Sequence, residues 1–65
     1  MSKNVKIEGM SCMHCVKHVE NALSALEGVE KFKVEVGSAV VEGNVSDEAL
    51  KNAIEEEGYD VVSIS

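Results

Sequence analysis

The spacing of apolar residues changes several times along this chain of 65 residues, and these changes limit the possible folds more than any other feature. Val5 and Ile7 alternate with polar residues within Lys3–Glu8, which predicts a half-buried strand. Apolar residues then recur at spacings of three and four: Val16, Val19, Ala22, Leu23 and Leu26. This pattern predicts one face of a helix that runs to about Glu27 and is stopped by Gly28.

The middle of the chain predicts a hairpin. Apolar residues at alternating positions indicate a second half-buried strand: Phe32, Val34 and Val36. The pair Gly37-Ser38 is typical of the two-residue turn that closes hairpins. Ala39–Gly43 is therefore predicted to be a third strand, antiparallel to the second.

The remaining residues predict a second helix and a fourth strand. Ser46 is a good N-cap, and two acidic residues follow it where the helix dipole favours negative charge. This helix should end at Gly58, and its apolar face consists of Ala49, Leu50, Ala53 and Ile54. Tyr59–Ile64 is strand-like, and alternation places Val62 and Ile64 on one face.

The predicted order is β-α-β-β-α-β, and no proline or Ser/Gly-rich linker divides it. Residues 1–65 are therefore expected to form a single domain. Right-handed crossovers turn this order into an α+β ferredoxin-like sandwich, in which two helices cover one face of a four-stranded antiparallel sheet.

Two cysteines, Cys12 and Cys15, lie three positions apart in a chain whose core must be small. A disulfide that closes so short a loop removes little entropy from the unfolded chain. The C-x-x-C spacing is more often a metal or redox site, particularly in a reducing compartment. Because no charged start leads into an apolar stretch and no apolar run approaches about 20 residues, we expect a cytoplasmic protein without membrane insertion.

The net charge of −6 disfavours nucleic acid as a partner, since phosphate binding needs a basic surface. Negative charge suits docking onto a more basic protein, although a solvated surface explains it equally well.

Cys12 is predicted to lie in the loop after the first strand, and Cys15 in the first turn of the first helix. The unpaired N–H groups and partial positive charge of a helix N-terminus stabilise thiolates, which bind metal. Thiolates select soft ions such as Cu(I) and Hg(II). Structural zinc normally requires four protein ligands, and the chain has no second cysteine pair. Two thiolates best suit Cu(I) and leave one side of the ion open for transfer.

Four neighbours of the cysteines carry a thioether or an imidazole group. Met10 is a soft thioether, but we expect it to pack in the core beneath the loop. His14 lies between the cysteines and should point away from them, as a surface histidine or a transient neighbour of the metal. His18 is one helical turn beyond Cys15 and is expected on the polar face, while Met13 receives no role.

The string Gly9-Met10-Ser11-Cys12-Met13-His14-Cys15 at the start of a helix in this order of elements resembles the heavy-metal-associated domain family. That family includes cytosolic copper chaperones, N-terminal domains of copper-exporting P-type ATPases, and a periplasmic mercury-binding protein. The resemblance covers essentially the whole chain.

The resemblance implies that Cys12 and Cys15 bind Cu(I), that Met10 packs beneath the loop, and that Gly9 permits its turn. It also places Tyr59 beside the metal loop, where bacterial chaperones carry Tyr and eukaryotic ones usually carry Lys. An ordinary position at the edge of the core, with the hydroxyl reaching water, is equally compatible with Tyr59. The partners implied are a copper-transporting P-type ATPase or a copper-responsive repressor.

The leading hypothesis is therefore a cytosolic copper chaperone that transfers Cu(I) by thiolate exchange. A metal-binding domain from a longer copper ATPase is second, and a mercury-binding protein is third, weakened by the missing export signal. A thiol oxidoreductase is disfavoured because thioredoxin-like enzymes place a cis-proline opposite the cysteines, and this chain has no proline. No catalytic constellation is present, so we expect no enzyme. The apo protein should be a monomer, and two copies can share copper between four thiolates.

Overall fold

The computed structural model describes residues 2–65, which form four strands and two helices. In chain order these are β1 (Ser2–Glu8), α1 (Met13–Ala25), β2 (Val29–Glu35), β3 (Ser38–Gly43), α2 (Asp47–Glu56) and β4 (Asp60–Ile64). The strands form one antiparallel sheet in the order β2-β3-β1-β4. The two helices contact each other and pack against the sheet, so the predicted ferredoxin-like α+β sandwich is confirmed.

The core is built almost entirely from aliphatic side chains supplied by both helices and by the sheet. The largest fully buried side chains are Leu23, Leu50, Ile54, Val5, Val19 and Val41. Within residues 2–65, no charged side chain is buried and no buried side-chain polar atom lacks a partner. Hydrophobic burial therefore provides the stability of this fold, and polar chemistry is confined to its surface.

Both helices end two residues before their predicted ends. The Ser46 hydroxyl caps α2 as predicted, accepting a hydrogen bond of 3.1 Å from the backbone N–H of Ala49. At the end of α1, Leu26 adopts an extended backbone conformation while its N–H donates to the carbonyl of Leu23. This tightened last turn stops α1 at Ala25, because an extended residue cannot continue the helical hydrogen bonding.

The predicted turn of the hairpin was wrong by one residue. Glu35 pairs with Ser38, so the two-residue turn is Val36-Gly37 rather than Gly37-Ser38. Gly37 takes the positive φ of 88° that this turn requires, and glycine adopts such a conformation without steric cost. Val36 therefore leaves the strand, and half of its surface is exposed instead of packing beside Val34.

The prediction that Val62 and Ile64 lie on one face of the last strand was also wrong. On β4, Val61 pairs with Ile7 and Ser63 pairs with Lys6, which leaves Val62 as the extra residue of a β-bulge. The bulge interrupts the alternation, so Val61 and Ile64 pack against the core while 54% of Val62 is exposed. Neither helix in residues 2–65 is long and apolar enough to cross a membrane.

Candidate metal centre

Both cysteines lie where the loop after β1 enters α1. Cys12 is the N-cap residue in an extended conformation, and its carbonyl accepts hydrogen bonds from the backbone N–H groups of Cys15 and Val16. Cys15 is therefore in the first turn of α1, as predicted. The Cys12 side chain makes no capping hydrogen bond. Both thiols are free, with Cys12 exposed and Cys15 half-buried against the core.

Two buried residues lie in or beside the cysteine loop. Met10, within the loop, is buried in the hydrophobic core. Gly9 turns the chain with a φ of 97°, and its backbone passes close to the Tyr59 ring. Tyr59 is itself buried at the junction of α2 and β4. Tyr59 therefore lies beside the cysteine loop.

The pKa of the Cys15 thiol is lowered from 9.0 to about 6, and the main cause is a hydrogen bond from the Tyr59 hydroxyl. Backbone N–H groups of Ser11 and Cys12 and the Cys12 side chain also donate to the thiolate, while partial burial opposes them. The pKa of Tyr59 is raised to about 12, chiefly because its hydroxyl proton is held by Cys15. This lowered pKa favours the thiolate form of Cys15 at neutral pH.

These donors differ from those that the sequence predicted. We expected the N–H groups of the helix N-terminus to stabilise the thiolates, but the strongest donor is a tyrosine from the other end of the chain. The backbone N–H groups that contribute belong to Ser11 and Cys12, which precede the first residue of α1. The backbone donors therefore lie in the loop and at the N-cap of α1.

The lowered pKa of Cys15 should make stability depend on pH. Its folded pKa of about 6 lies below the value of 9.0 for an unperturbed thiol, so the contribution to stability is fully present above pH 9.0. It should decline as pH falls from 9.0 and vanish below about 6. Denaturant titrations of the apo protein under reducing conditions should show this slope, and the Cys15→Ser variant should lack it. An equal slope in both proteins would contradict the assignment.

His18 is exposed on α1, as the sequence predicted, but its contact with Tyr59 was not predicted. The structure places His18 Nδ1 3.2 Å from the Tyr59 hydroxyl oxygen, with Tyr59 between His18 and Cys15. The available signal was the spacing of three residues between Cys15 and His18, which puts both on one side of a helix. That spacing could not reveal the bridging residue, because Tyr59 is 41 positions from His18.

The other two candidates, like His18, lie at the surface. Met13 and His14 are exposed, and neither side chain makes a hydrogen bond within residues 2–65. In the same residues, no group of three or more His, Cys, Asp or Glu side chains is close enough to hold a metal ion. The cysteine loop therefore presents two free sulfur atoms, and that of Cys12 is on an exposed residue.

Comparison with known proteins agrees with this geometry. Residues 4–60 match the heavy-metal-associated domain. The chain belongs to this family. It is 44% identical over 66 residues to the copper chaperone CopZ of Staphylococcus haemolyticus, and the match covers 94% of this chain and 97% of that protein. The solved structure of a CopZ metallochaperone superposes with a TM-score of 0.89 at 39% identity, covering 95% of this chain and 100% of the other.

A different kind of protein carries a similar domain. The probable copper-exporting P-type ATPase of Archaeoglobus fulgidus is 37% identical over 67 residues, which is 95% of this chain but only 8% of the ATPase. The family membership predicted from the loop is thus confirmed. The relatives include both a protein of this chain's size and a segment of a much longer one.

Proposed function

We propose that this protein is a cytoplasmic copper chaperone that binds Cu(I) between Cys12 and Cys15 and passes it to a P-type ATPase. The observation that carries the proposal is the pair of free thiols where the loop enters α1, with Cys12 exposed at the N-cap and Cys15 half-buried in the first turn. Relatives of nearly the same length that are named copper chaperones support this function. Binding and delivery, rather than catalysis, is the activity that this site suits.

The number of ligands favours Cu(I) over zinc. Cu(I) accepts two or three soft ligands, whereas structural zinc normally takes four protein ligands. Hg(II) shares the preference for thiolates, so we propose that the site also accepts it. Met10 supports the loop from below, Tyr59 supports it from the side, and His14 is a surface neighbour able to approach the metal.

The difference between the cysteines suggests an order for ligand exchange. A partner thiolate enters from the open side and forms a three-coordinate Cu(I) intermediate. Cys12 is exposed at the N-cap, whereas Cys15 is part of α1 and is held by Tyr59. Cys12 is therefore displaced first, as a thiolate, and Cu(I) keeps its oxidation state throughout. A second partner thiolate then replaces Cys15.

The proposed recipient is a copper-transporting P-type ATPase, and a copper-responsive repressor is a further partner of the same chemistry. The net charge of −6 suits docking onto a more basic surface. Two copies bridged by copper through four thiolates would be a reservoir form.

A second candidate function is that of a metal-binding domain within such an ATPase, which the match to the Archaeoglobus fulgidus protein favours. Reading the gene downstream of Ser65 separates these two functions.

Competition between metal ions tests the proposal. The apo protein is mixed under strictly reducing conditions with Cu(I), Hg(II) and Zn(II), singly and in pairs, and native mass spectrometry reports the bound metal. We expect one Cu(I) per chain or per pair of chains, with no displacement of Cu(I) by excess Zn(II). Preferential retention of Zn(II) would contradict the proposal. An insulin-reduction assay addresses the redox alternative, and turnover at the rate of a true oxidoreductase would support that alternative instead.

A further inference from the structure

Three connections between elements meet at one end of the sheet. The loop after β1 carries the cysteines, and Tyr59, at the junction of α2 and β4, lies beside Gly9 of that loop. The Val36-Gly37 turn is held at the same end, because the Gly37 carbonyl accepts a hydrogen bond of 2.9 Å from the N–H of Ile7. These three connections form the cysteine end of the molecule. Under the proposed function a recipient must touch this end, since its sulfur has to reach the bound ion.

The cysteine end exposes apolar side chains. Among residues 2–65, Met13 is the most exposed large hydrophobic residue, with 66% of its surface accessible, and it lies between the two cysteines in the sequence. Val36, in the neighbouring turn, is 50% exposed. Neither residue belongs to the core cluster or packs against it. Covering this apolar part, Met13 and Val36, with a second protein would remove apolar surface from water and so favour docking.

Carboxylates flank the same end. Glu8, the last residue of β1, is paired with Asp60, the first residue of β4, and like charges directly opposite each other destabilise a sheet. Within residues 2–65, neither carboxylate forms an ion pair or accepts a side-chain hydrogen bond, although Lys6 is on the same strand. Glu57 is exposed at the C-cap of α2, where the helix dipole disfavours negative charge.

Folding gains nothing from this acidic part, which consists of Glu8, Asp60 and Glu57. Departures from favourable local electrostatics are expected where a surface serves binding rather than stability. Cationic groups from a partner would relieve the repulsion between Glu8 and Asp60. The charge of the preferred partner is therefore positive.

We propose that the cysteine end is a docking surface for a basic protein, and that its apolar and acidic parts both contact that partner. The matching surface presents its thiols beside apolar side chains and has lysine or arginine around them. The inference rests on the proposed function for the partner's thiols, whereas the charge and apolar patterns belong to the protein without copper. It locates on one end of the molecule the docking that the net charge of −6 by itself leaves without a position.

The first experiment needs no copper. The apo protein is titrated under reducing conditions with two synthetic peptides that share a central pair of leucines and carry either lysines or glutamates at both ends. We expect amide NMR signals of Glu8, Met13 and Asp60 to shift with the lysine peptide, and salt should weaken this response. Equal responses to both peptides, or shifts centred on Val40 in the middle of β3, would overturn the proposal.

A pair of double variants separates position from net charge. Glu8→Gln with Asp60→Asn should weaken binding of the lysine peptide by about fivefold, the effect of losing two exposed ion pairs. Glu30→Gln with Glu42→Gln is the matched control, because it changes the net charge equally. Both control residues are exposed and lie at the opposite end of the sheet, where Glu42 pairs with Ser2. The control should bind nearly as the wild type does, and equal weakening in both double variants would overturn the proposal.

The apolar part is tested by copper transfer to the lysine peptide extended with a pair of cysteines. Met13→Gln keeps the length of the side chain but makes it polar, so transfer should slow by about fivefold, the effect of losing a modest apolar contact. Met13→Leu should restore the rate, and Val40→Gln, on the helix-free face, should leave it unchanged. An unchanged rate in Met13→Gln would overturn the proposal. Failure of the protein to bind Cu(I) would instead refute the proposed function and leave the copper-free titrations standing.

Discussion

Replacing either Cys12 or Cys15 with Ser should weaken Cu(I) binding by at least about a hundredfold while the fold survives. Structural zinc sites gain about 10–16 kcal/mol from four ligands, so the loss of one ligand costs roughly 3 kcal/mol. The loss of binding free energy should be larger in a site that has only two ligands. A serine hydroxyl is a hard oxygen that stays protonated at neutral pH and cannot replace a thiolate for a soft ion.

The fold should tolerate both substitutions, because neither cysteine belongs to the buried hydrophobic set and neither forms a disulfide. Competition against a chromogenic Cu(I) chelator measures the affinity, and circular dichroism checks the fold. Met13→Ala is the matched control, since Met13 lies between the cysteines with 66% of its surface exposed and should bind Cu(I) as the wild type does. Tight binding retained by both Ser variants would show that the copper ligands lie elsewhere.

Gly43→Ala should prevent stable folding, whereas Gly58→Ala should cost only about 1 kcal/mol. Both glycines have a positive φ, 140° at Gly43 and 95° at Gly58, so alanine is strained at either position. The difference in stability between the two variants therefore measures the effect of crowding around the added Cβ atom. A Cβ atom at Gly43 would lie 2.1 Å from the Gly28 carbonyl oxygen and 2.8 Å from the Glu30 backbone nitrogen. A Cβ atom at Gly58 would meet no atom within 4 Å.

The crowded backbone at Gly43 cannot move aside easily. Gly43 pairs with Val29 at the start of β2, and the Gly28 carbonyl accepts a hydrogen bond of 2.9 Å from the N–H of Asn44. Separating these segments breaks the junction between α1 and the sheet. In a chain this small the whole core supplies only about 3–5 kcal/mol, so a loss of that size unfolds it. Chemical denaturation of both variants measures the difference, and a Gly43→Ala protein within about 1 kcal/mol of the wild type would refute the argument.

Local sequence patterns predicted the buried residues correctly in the elements where one spacing of apolar residues holds from end to end. Alternation in Lys3–Glu8 placed Val5 and Ile7 in the core, and the Ser46 cap marked the start of α2 correctly. Alternation failed at Val62, because a β-bulge opposite β1 adds a residue that no sequence period records. It failed at Val36 because the hairpin register depends on which of two adjacent residues takes the turn.

The sequence alone determined the order of the elements, the family, and the pair of cysteines at the entrance of α1, since each depends on residues close together along the chain. Only the tertiary structure decided which groups surround Cys15. Tyr59 reaches the cysteine because the pairing of β4 with β1 returns the end of the chain to the first loop, and His18 joins it across 41 residues of sequence. Contacts of this kind depend on how distant segments pack, and residue spacing within one segment carries no record of them.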